Sequence, residues 1–315
     1  MNKITIIGTG SVGSTIAYTL TATSIAPEIV MIDVNDKKAL GEALDIRQGT
    51  PFCAPCSIYA GSYADAKDSD IVIITSGVAR KPGQTRLDLA QTNVDILKSI
   101  IPQITKYAPD ATYVIVSNPV DILTYTFCKC SDIPEERIIG SGTILDTARL
   151  RSRLAEYFSL SQKNVHAYVL GEHGDTSVIP WSTANISNVP VMDYSKSFIR
   201  PDGIVVPDLS IEAIEEYVRK SGARVIERKG ATFYAVSMSV CHICKCLLSG
   251  IDTTMTVSTM LHGEYGIDDV AMSLLTVVGH KGAHSKVMLP LTESEIKSLH
   301  NSAESLKNII RQTKI

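Results

Sequence analysis

No apolar stretch in this chain approaches the roughly 20 residues that a membrane helix needs, which excludes a membrane-spanning reading. Neither sign of charge is in excess. The formal net charge is −3 and the pI is near 6.2, so nothing draws the whole molecule toward nucleic acid or an anionic membrane. Internal repeats, low-complexity tracts and an evident linker are also missing, which implies tightly packed globular units. KITIIG enters a strand-like run at Lys3, leaving no room for a secretory leader, and the chain reads as cytoplasmic. A disulfide framework is excluded on the same ground. The seven cysteines (Cys53, Cys56, Cys128, Cys130, Cys241, Cys244 and Cys246) are an odd number in a leaderless chain and fit free thiols in a reducing compartment.

Two C-x-x-C pairs, Cys53/Cys56 and Cys241/Cys244, formally allow a four-thiolate zinc site. The second pair lies in a helical pattern, where that spacing merely puts both on one face. Small buried core residues are the better reading, and no metal is expected.

What is present is a chain of 315 residues, 44% apolar and 20% charged, long enough for two packed domains. The first 140 residues alternate strand and helix. Apolar runs at Ile4–Ile7, Ile29–Ile32, Ile71–Ile74 and Tyr113–Val116 read as buried strands. A small-residue helix over Ser11–Thr23 and a charged one over Asp36–Ile46 fall between them. Ala90, Val94, Leu97, Ile101 and Ile104 form a helix stripe that Pro102 should kink or divide. Strands alternating with helices in this way predict a doubly wound parallel sheet over residues 1–141.

The second half, 142–315, reads as an α+β unit. Short β-like runs such as Val189–Met192 are scattered among Gly, Pro, Asn and Ser. Long helix patterns follow over Ser210–Arg228 and Ala231–Leu248, with Gly230 at the break. The last helix starts at a capping box of Thr292 and Glu295 and buries Ile296, Leu299, Ala303, Leu306 and Ile310.

ITIIGTGSVG sets Gly8, Gly10 and Gly13 as G-x-G-x-x-G between a strand and a helix. The first glycine permits a tight turn, the second lets backbone approach a pyrophosphate, and the third lets helix pack on strand. The helix N-terminus then offers free N–H groups to the phosphates. Asp33 ends the next strand, where an acid bonds ribose hydroxyls and would repel a 2′-phosphate. The cofactor is therefore NAD in preference to NADP.

Three further stretches hold polar groups where chemistry would need them. ILDTARLR puts Asp146 and Arg149 on one face of a helix. VLGEHGDTSV places His173 between glycines, and VIVSNPVD ends a buried strand with Ser117 and Asn118, where doubly wound sheets put their ligands. GVARKPGQTR, residues 77–86, is a basic loop in an acidic protein, built to close over a small anion. Each has a plain structural alternative: a solvated ion pair, a structural histidine, an Asn-Pro turn.

Together GTGSVG, SNPVD, SGTILDTARLR and GEHGDTSVIPWS make the chain resemble the lactate/malate dehydrogenase superfamily from Gly8 to the C-terminal helix. The resemblance implies NAD-dependent hydride transfer to a 2-oxo acid, with His173 as proton donor and acceptor. It implies that Asp146 orients and stabilises the imidazolium and that Arg149 binds the substrate carboxylate. Arg86 of the basic loop would polarise the reacting carbonyl, with Asn118 at the substrate oxygen. Ser141 would lie near the nicotinamide amide, and Gly77 and Ser117 would join the cofactor site. Residue chemistry agrees, because a guanidinium grips a carboxylate bidentately and an imidazole beside a carboxylate lends a proton near neutral pH.

The substrate is divided by one loop residue. Arg80 stands where the lactate branch usually has glutamine and where the malate branch has an arginine for a second carboxylate. Gln84 replaces a usual glutamate, Lys81 faces solvent, and Cys244 aligns with the pocket wall. GEHGD and Trp181 follow the lactate branch, so pyruvate is expected and oxaloacetate is the alternative. A non-catalytic NAD-binding regulator is the remaining reading. Arg151 and His166 match residues that bind fructose 1,6-bisphosphate across a subunit interface in allosterically activated bacterial members. The family also implies a homotetramer.

Overall fold

The structure is a computed structural model that describes residues 2–79, 86–197 and 209–315. Its first half runs β1 (Lys3–Ile7), α1 (Ser11–Ala22), β2 (Glu28–Ile32), α2 (Asp36–Gly49), β3 (Ser57–Ala60), β4 (Ile71–Ile74), α3 (Arg86–Tyr107), β5 (Thr112–Ile115), α4 (Val120–Cys130) and β6 (Ile138–Gly140). The second half contains α5 (Ile144–Phe158), β7 (Val165–His166), β8 (Asn185–Ile186), β9 (Val189–Pro190), α6 (Val191–Ser197), α7 (Ile211–Lys229) and α8 (Tyr234–Leu247). It ends with β10 (Thr253–Glu264), β11 (Ile267–Gly279), β12 (Gly282–Lys286) and α9 (Glu293–Gln312).

Six parallel strands lie in the order β3-β2-β1-β4-β5-β6, with β1 paired to both β2 and β4. The chain reverses its winding at β1/β4, and this is where such sheets open a crevice beyond their C-terminal ends. The strands are apolar on both faces because both are covered. Ile4, Ile6, Ile71 and Ile73 pack with Ile16, Ala17 and Leu20 of α1 and Val240 and Ile243 of α8. Val72, Ile74 and Ile115 point the other way, onto Ala90, Val94, Leu97 and Ile101 of α3 and Leu299 and Leu306 of α9.

The two halves share one sheet. Ser258 of β10 pairs antiparallel with Gly140, so the β10-β11-β12 meander extends the parallel strands into nine. A third apolar cluster, with Leu150, Leu154, Phe158, Val165, Ile186 and Val218, joins α5 and α7 to the small β7-β8-β9 sheet.

Two local expectations change. Pro102 lies inside an undivided α3; it is exposed, so the carbonyl it leaves unbonded faces water. The β-like run at Val189–Met192 is a strand only through Pro190, after which α6 begins. Gly230 ends α7 at φ +83°, and Thr292 and Glu295 form the reciprocal capping box of α9.

Candidate active site

The glycine turn between β1 and α1 is shaped by what a side chain would strike. A Cβ on Gly13 would stand 1.9 Å from the Gly8 carbonyl oxygen, so helix and strand close only over a glycine. Gly8 adopts φ +101°, and a Cβ there would meet Ser76 N at 2.7 Å. At Gly10 a Cβ would meet nothing within 4 Å. That residue, at the N-cap of α1, leaves an open face beside unpaired helix N–H groups, which suits a pyrophosphate.

Asp33 completes the cradle at the end of β2. Its Oδ2 accepts from Thr9 N at 2.6 Å and Thr9 Oγ1 at 3.0 Å, and its Oδ1 from Asn35 N at 2.9 Å. Burial pushes the carboxyl upward, but these donors outweigh it and hold it below the usual carboxylate range. A fixed anion at this point fits unphosphorylated ribose hydroxyls. The residues present therefore fit NAD.

Beyond the strand ends lies a cavity of about 390 Å³, walled by Asn118, Asp146, Arg149, His173, Thr232 and Val236, among others. It shares Val12, Val116 and Asn118 with a second cavity of about 180 Å³ that Gly77, Val78, Asn93 and Ser117 also line. Two larger cavities, of about 460 and 490 Å³, lie against α8 and another, of about 460 Å³, lies by the C-terminal end of α3; none of the three gathers a buried acid with a histidine. Chemistry, not size, locates the site.

Each charged group is held by a rigid element. Asp146 and Arg149 project from the first turns of α5, which is pinned by Thr147: its Oγ1 accepts from Val169 N at 2.9 Å and meets Thr256 Oγ1 at 2.9 Å. His173 rides on a turn closed by antiparallel bridges, Leu170 to Val178 and Gly171 to Ser273. Glu172 N donates to Ser302 Oγ of α9 at 2.9 Å, fastening the turn from behind.

Asp146 Oδ2 lies 2.5 Å from His173 Nδ1, and Asp146 Oδ1 accepts from Arg149 Nη1 at 2.9 Å. Engaged through Nδ1, the imidazole leaves Nε2 for the cavity. The Asp146 charge raises the His173 pKa to about 9, against burial, which pulls the other way. Asp146 is itself pushed up by burial, but His173 and Arg149 together hold it below its ordinary range. The pair is an imidazolium and a carboxylate at neutral pH.

The two strand crests are tied by a residue that motif reading passed over. Buried Asn93 of α3 accepts from Val78 N at 2.8 Å and donates to Asn118 O at 2.6 Å. A single amide breaking the apolar stripe beside Val94 was the available signal. Ser117 Oγ donates to Ser76 O at 2.6 Å and reinforces the same tie. Ser141 is buried at the neighbouring crest, past β6, with its N–H on Ile115 O. Thr232, between α7 and α8, was also missed.

Cys244 is not part of the site. It is fully buried on α8 among Ile6, Ile139 and Val240, on the sheet side of the helix, so its thiol cannot touch a ligand. Thr232 lines the cavity where Cys244 does not. Cys241 shares that core, but Cys53 and Cys56 are only half-buried, so the core reading holds for the second pair and not the first; no group of three potential ligands gathers among the described residues. Arg80, Lys81 and Gln84 lie outside the described residues; Arg86 opens α3, with its side chain outside them.

Comparison with known proteins agrees with this geometry. Residues 2–140 match the lactate/malate dehydrogenase NAD binding domain, and residues 143–314 match the lactate/malate dehydrogenase alpha/beta C-terminal domain. The chain belongs to the lactate/malate dehydrogenase family. Membership makes it an NAD-dependent oxidoreductase acting on a 2-hydroxy acid. An L-lactate dehydrogenase of Acetivibrio thermocellus is 44% identical, over 99% of this chain and 97% of its own. One from Clostridium perfringens is also 44% identical, over 100% and 98%. Among solved structures, a minor L-lactate dehydrogenase from Enterococcus mundtii, in a ligands-bound form, superposes with a TM-score of 0.93 at 36% identity, covering 100% of this chain and 99% of that one. A lactate dehydrogenase from a Medee basin deep-sea metagenome library gives 0.92 at 36% identity, covering 98% of each chain. No described helix is long and apolar enough to cross a membrane.

Proposed function

We propose that this family member is an L-lactate dehydrogenase, interconverting pyruvate and L-lactate. The observation that carries the chemistry is the Asp146–His173–Arg149 cluster at the mouth of the sheet, beside the NAD cradle. When bound, NAD supplies the hydride acceptor or donor, while substrate binding, orientation and proton transfer fall to the chain. Arg149 gives Nη1 to Asp146 and keeps its other N–H groups for the substrate carboxylate, fixing which face of the carbonyl is presented. His173 donates its Nε2 proton to the carbonyl oxygen as negative charge builds there, and recovers it in lactate oxidation. Asp146 holds the ring in the tautomer that points Nε2 inward and stabilises its charged form. Asn118 offers a donor at the same oxygen, and Arg86 adds a cationic one from the start of α3.

Support for pyruvate over oxaloacetate comes from the full-length relatives, which are named L-lactate dehydrogenases. Comparing kcat/KM for the two acids in wild type and Arg80→Gln tests it. Preference for oxaloacetate in the wild type overturns the substrate, and activity surviving His173→Asn overturns the mechanism.

We place the boundary between cofactor and substrate units at residues 141/142. The assembly we propose is a homotetramer that responds to fructose 1,6-bisphosphate through Arg151 and His166. Met238, Tyr234 and Tyr18 are all more than 60% exposed, which suits a face covered by a second copy. Arg151 donates to Ala167 O at 3.0 Å and stacks 4.9 Å over Tyr168, while His166, which precedes Ala167 in sequence, is exposed on β7. Sedimentation, and pyruvate titrations with and without the sugar bisphosphate, test both; a monomer or identical curves reject them.

A further inference from the structure

Asp121 is a buried carboxylate to which the catalytic assignments give no role. It stands in the first turn of α4, three residues after Asn118, and is 2% exposed. Its Oδ2 accepts the backbone N–H of His173 at 2.8 Å, while Oδ1 is buried without a hydrogen-bond partner, as is the nearby Ser258 hydroxyl, which stands beyond hydrogen-bond reach and acts on the carboxyl only as a dipole. The groups acting on it are Glu172 and His173 on the turn and the Ser258 hydroxyl on β10, while Asp146 and Arg149 on α5 act on the same imidazole.

Keeping a carboxylate here is costly, and the fold does not need the charge. Burying an incompletely paired carboxyl is unfavourable, and an amide would accept the same N–H. Burial pushes Asp121 up to about 6; the Ser258 hydroxyl, the His173 N–H and the His173 charge oppose this, and Glu172 adds to it. Near neutral pH it is therefore largely an anion, bonded to the His173 N–H and close enough for its charge to raise the proton affinity of the imidazole.

We propose that Asp121 is a positioning residue for His173, fixing the turn that carries the imidazole and supplying a second negative charge close to it. Two carboxylates then set the proton affinity of the acid/base, one through Nδ1 and one through the backbone. The idea rests on His173 being that acid/base.

The test is the pH profile of kcat/KM for pyruvate in wild type and Asp121→Asn. Pyruvate reduction needs the imidazolium, so activity falls on the alkaline side as His173 loses its proton. Asn keeps the acceptor for His173 N–H and removes only the charge. The alkaline limb should move to lower pH by about half a unit or more, whereas a merely structural role would lower activity without moving it. A second measurement uses 15N-histidine-labelled wild type without cofactor: the His173 amide should titrate with a midpoint near 6. It decides the matter alone if Asp121→Asn does not fold. A limb that stays in place, or an amide that does not move between about pH 5 and 7, overturns the proposal. Absence of turnover in the wild type would instead remove the proposed function, leaving the amide titration to judge the contact.

Discussion

Asp146 reaches His173 Nδ1 at 2.5 Å with one carboxylate oxygen while the other holds Arg149 at 2.9 Å. One buried anion thus fixes both the proton donor and the group meant for the substrate carboxylate. The same charge keeps the imidazole protonated through neutrality, its pKa lifted to about 9.

Removing that charge should change the pH dependence of turnover and of stability together. In Asp146→Asn, burial of His173 is opposed only by the smaller contribution of Asp121, and its pKa falls toward its ordinary value near 6.5. At pH 7.5 pyruvate reduction should drop on the order of 10²-fold or more. For stability, a raised histidine pKa contributes fully below about 6.5 and is lost as pH climbs toward about 9. Asp146, held low, contributes above its ordinary pKa near 4 and is lost only as pH falls below it. Wild type should therefore lose up to about 3 kcal/mol between pH 6.5 and 9 that the variant never had. Denaturant titrations at those two pH values check this; equal slopes with pH would refute the charge coupling.

The glycines of the turn should separate by phenotype. Gly13→Ala places a Cβ 1.9 Å from the Gly8 carbonyl and must push α1 off β1, lowering Tm along with NADH affinity. Gly10→Ala meets nothing in the free protein, so its stability should stay within about 1 kcal/mol of wild type. NADH affinity should nonetheless fall at least about tenfold, because the methyl fills the space left for the pyrophosphate. Calorimetry with and without NADH distinguishes the two, and a Gly10→Ala protein with normal affinity would show that the open face is not the phosphate site.

Asn93 should behave as a tie between strand crests. Asn93→Ala strands the Val78 N–H and the Asn118 carbonyl, and each is partly wet, so the loss should be about 1–2 kcal/mol. Because Asn118 and Val78 line the cavities, KM for pyruvate and NADH should rise as well. A lower Tm with both KM values unchanged would reduce Asn93 to a structural role.

Much of this site was legible because its chemistry is written in short contiguous motifs. G-x-G-x-x-G with Asp33 specifies a turn, a helix start and an anion, all local, and the structure builds them where the spacing says. Asp146 and Arg149 share a helical period, and GEHGD is a loop in any fold. What escaped depends on distant packing. The long β10 and β11 carry polar positions such as Ser258, Thr259 and Ser273 that turn into the sheet's interior, masking the strand pattern. The pairing of β10 with β6 joins residues more than a hundred positions apart, which no window of sequence reveals. Asp121 likewise looks like a helix-start acid until the His173 turn folds over it.

Cys244 gives the sharpest contrast between alignment and packing. Read along the chain it falls near the expected pocket wall; in the fold it is fully buried in the core that joins α8 to the sheet, while Thr232 faces the cavity. Cys244→Ser keeps the volume close but buries a hydroxyl among Ile6, Ile139 and Val240, and should cost about 1–3 kcal/mol. The ratio of kcat/KM for pyruvate to that for oxaloacetate should not change, because nothing at position 244 reaches a substrate. Thr232→Val should do the reverse: it is half-buried, so Tm should barely move, but the cavity loses a hydroxyl and the ratio should shift several-fold. If Cys244→Ser moves the substrate ratio and Thr232→Val does not, the wall has been assigned to the wrong residue, and the geometry of α8 relative to the cavity would have to differ from the one described.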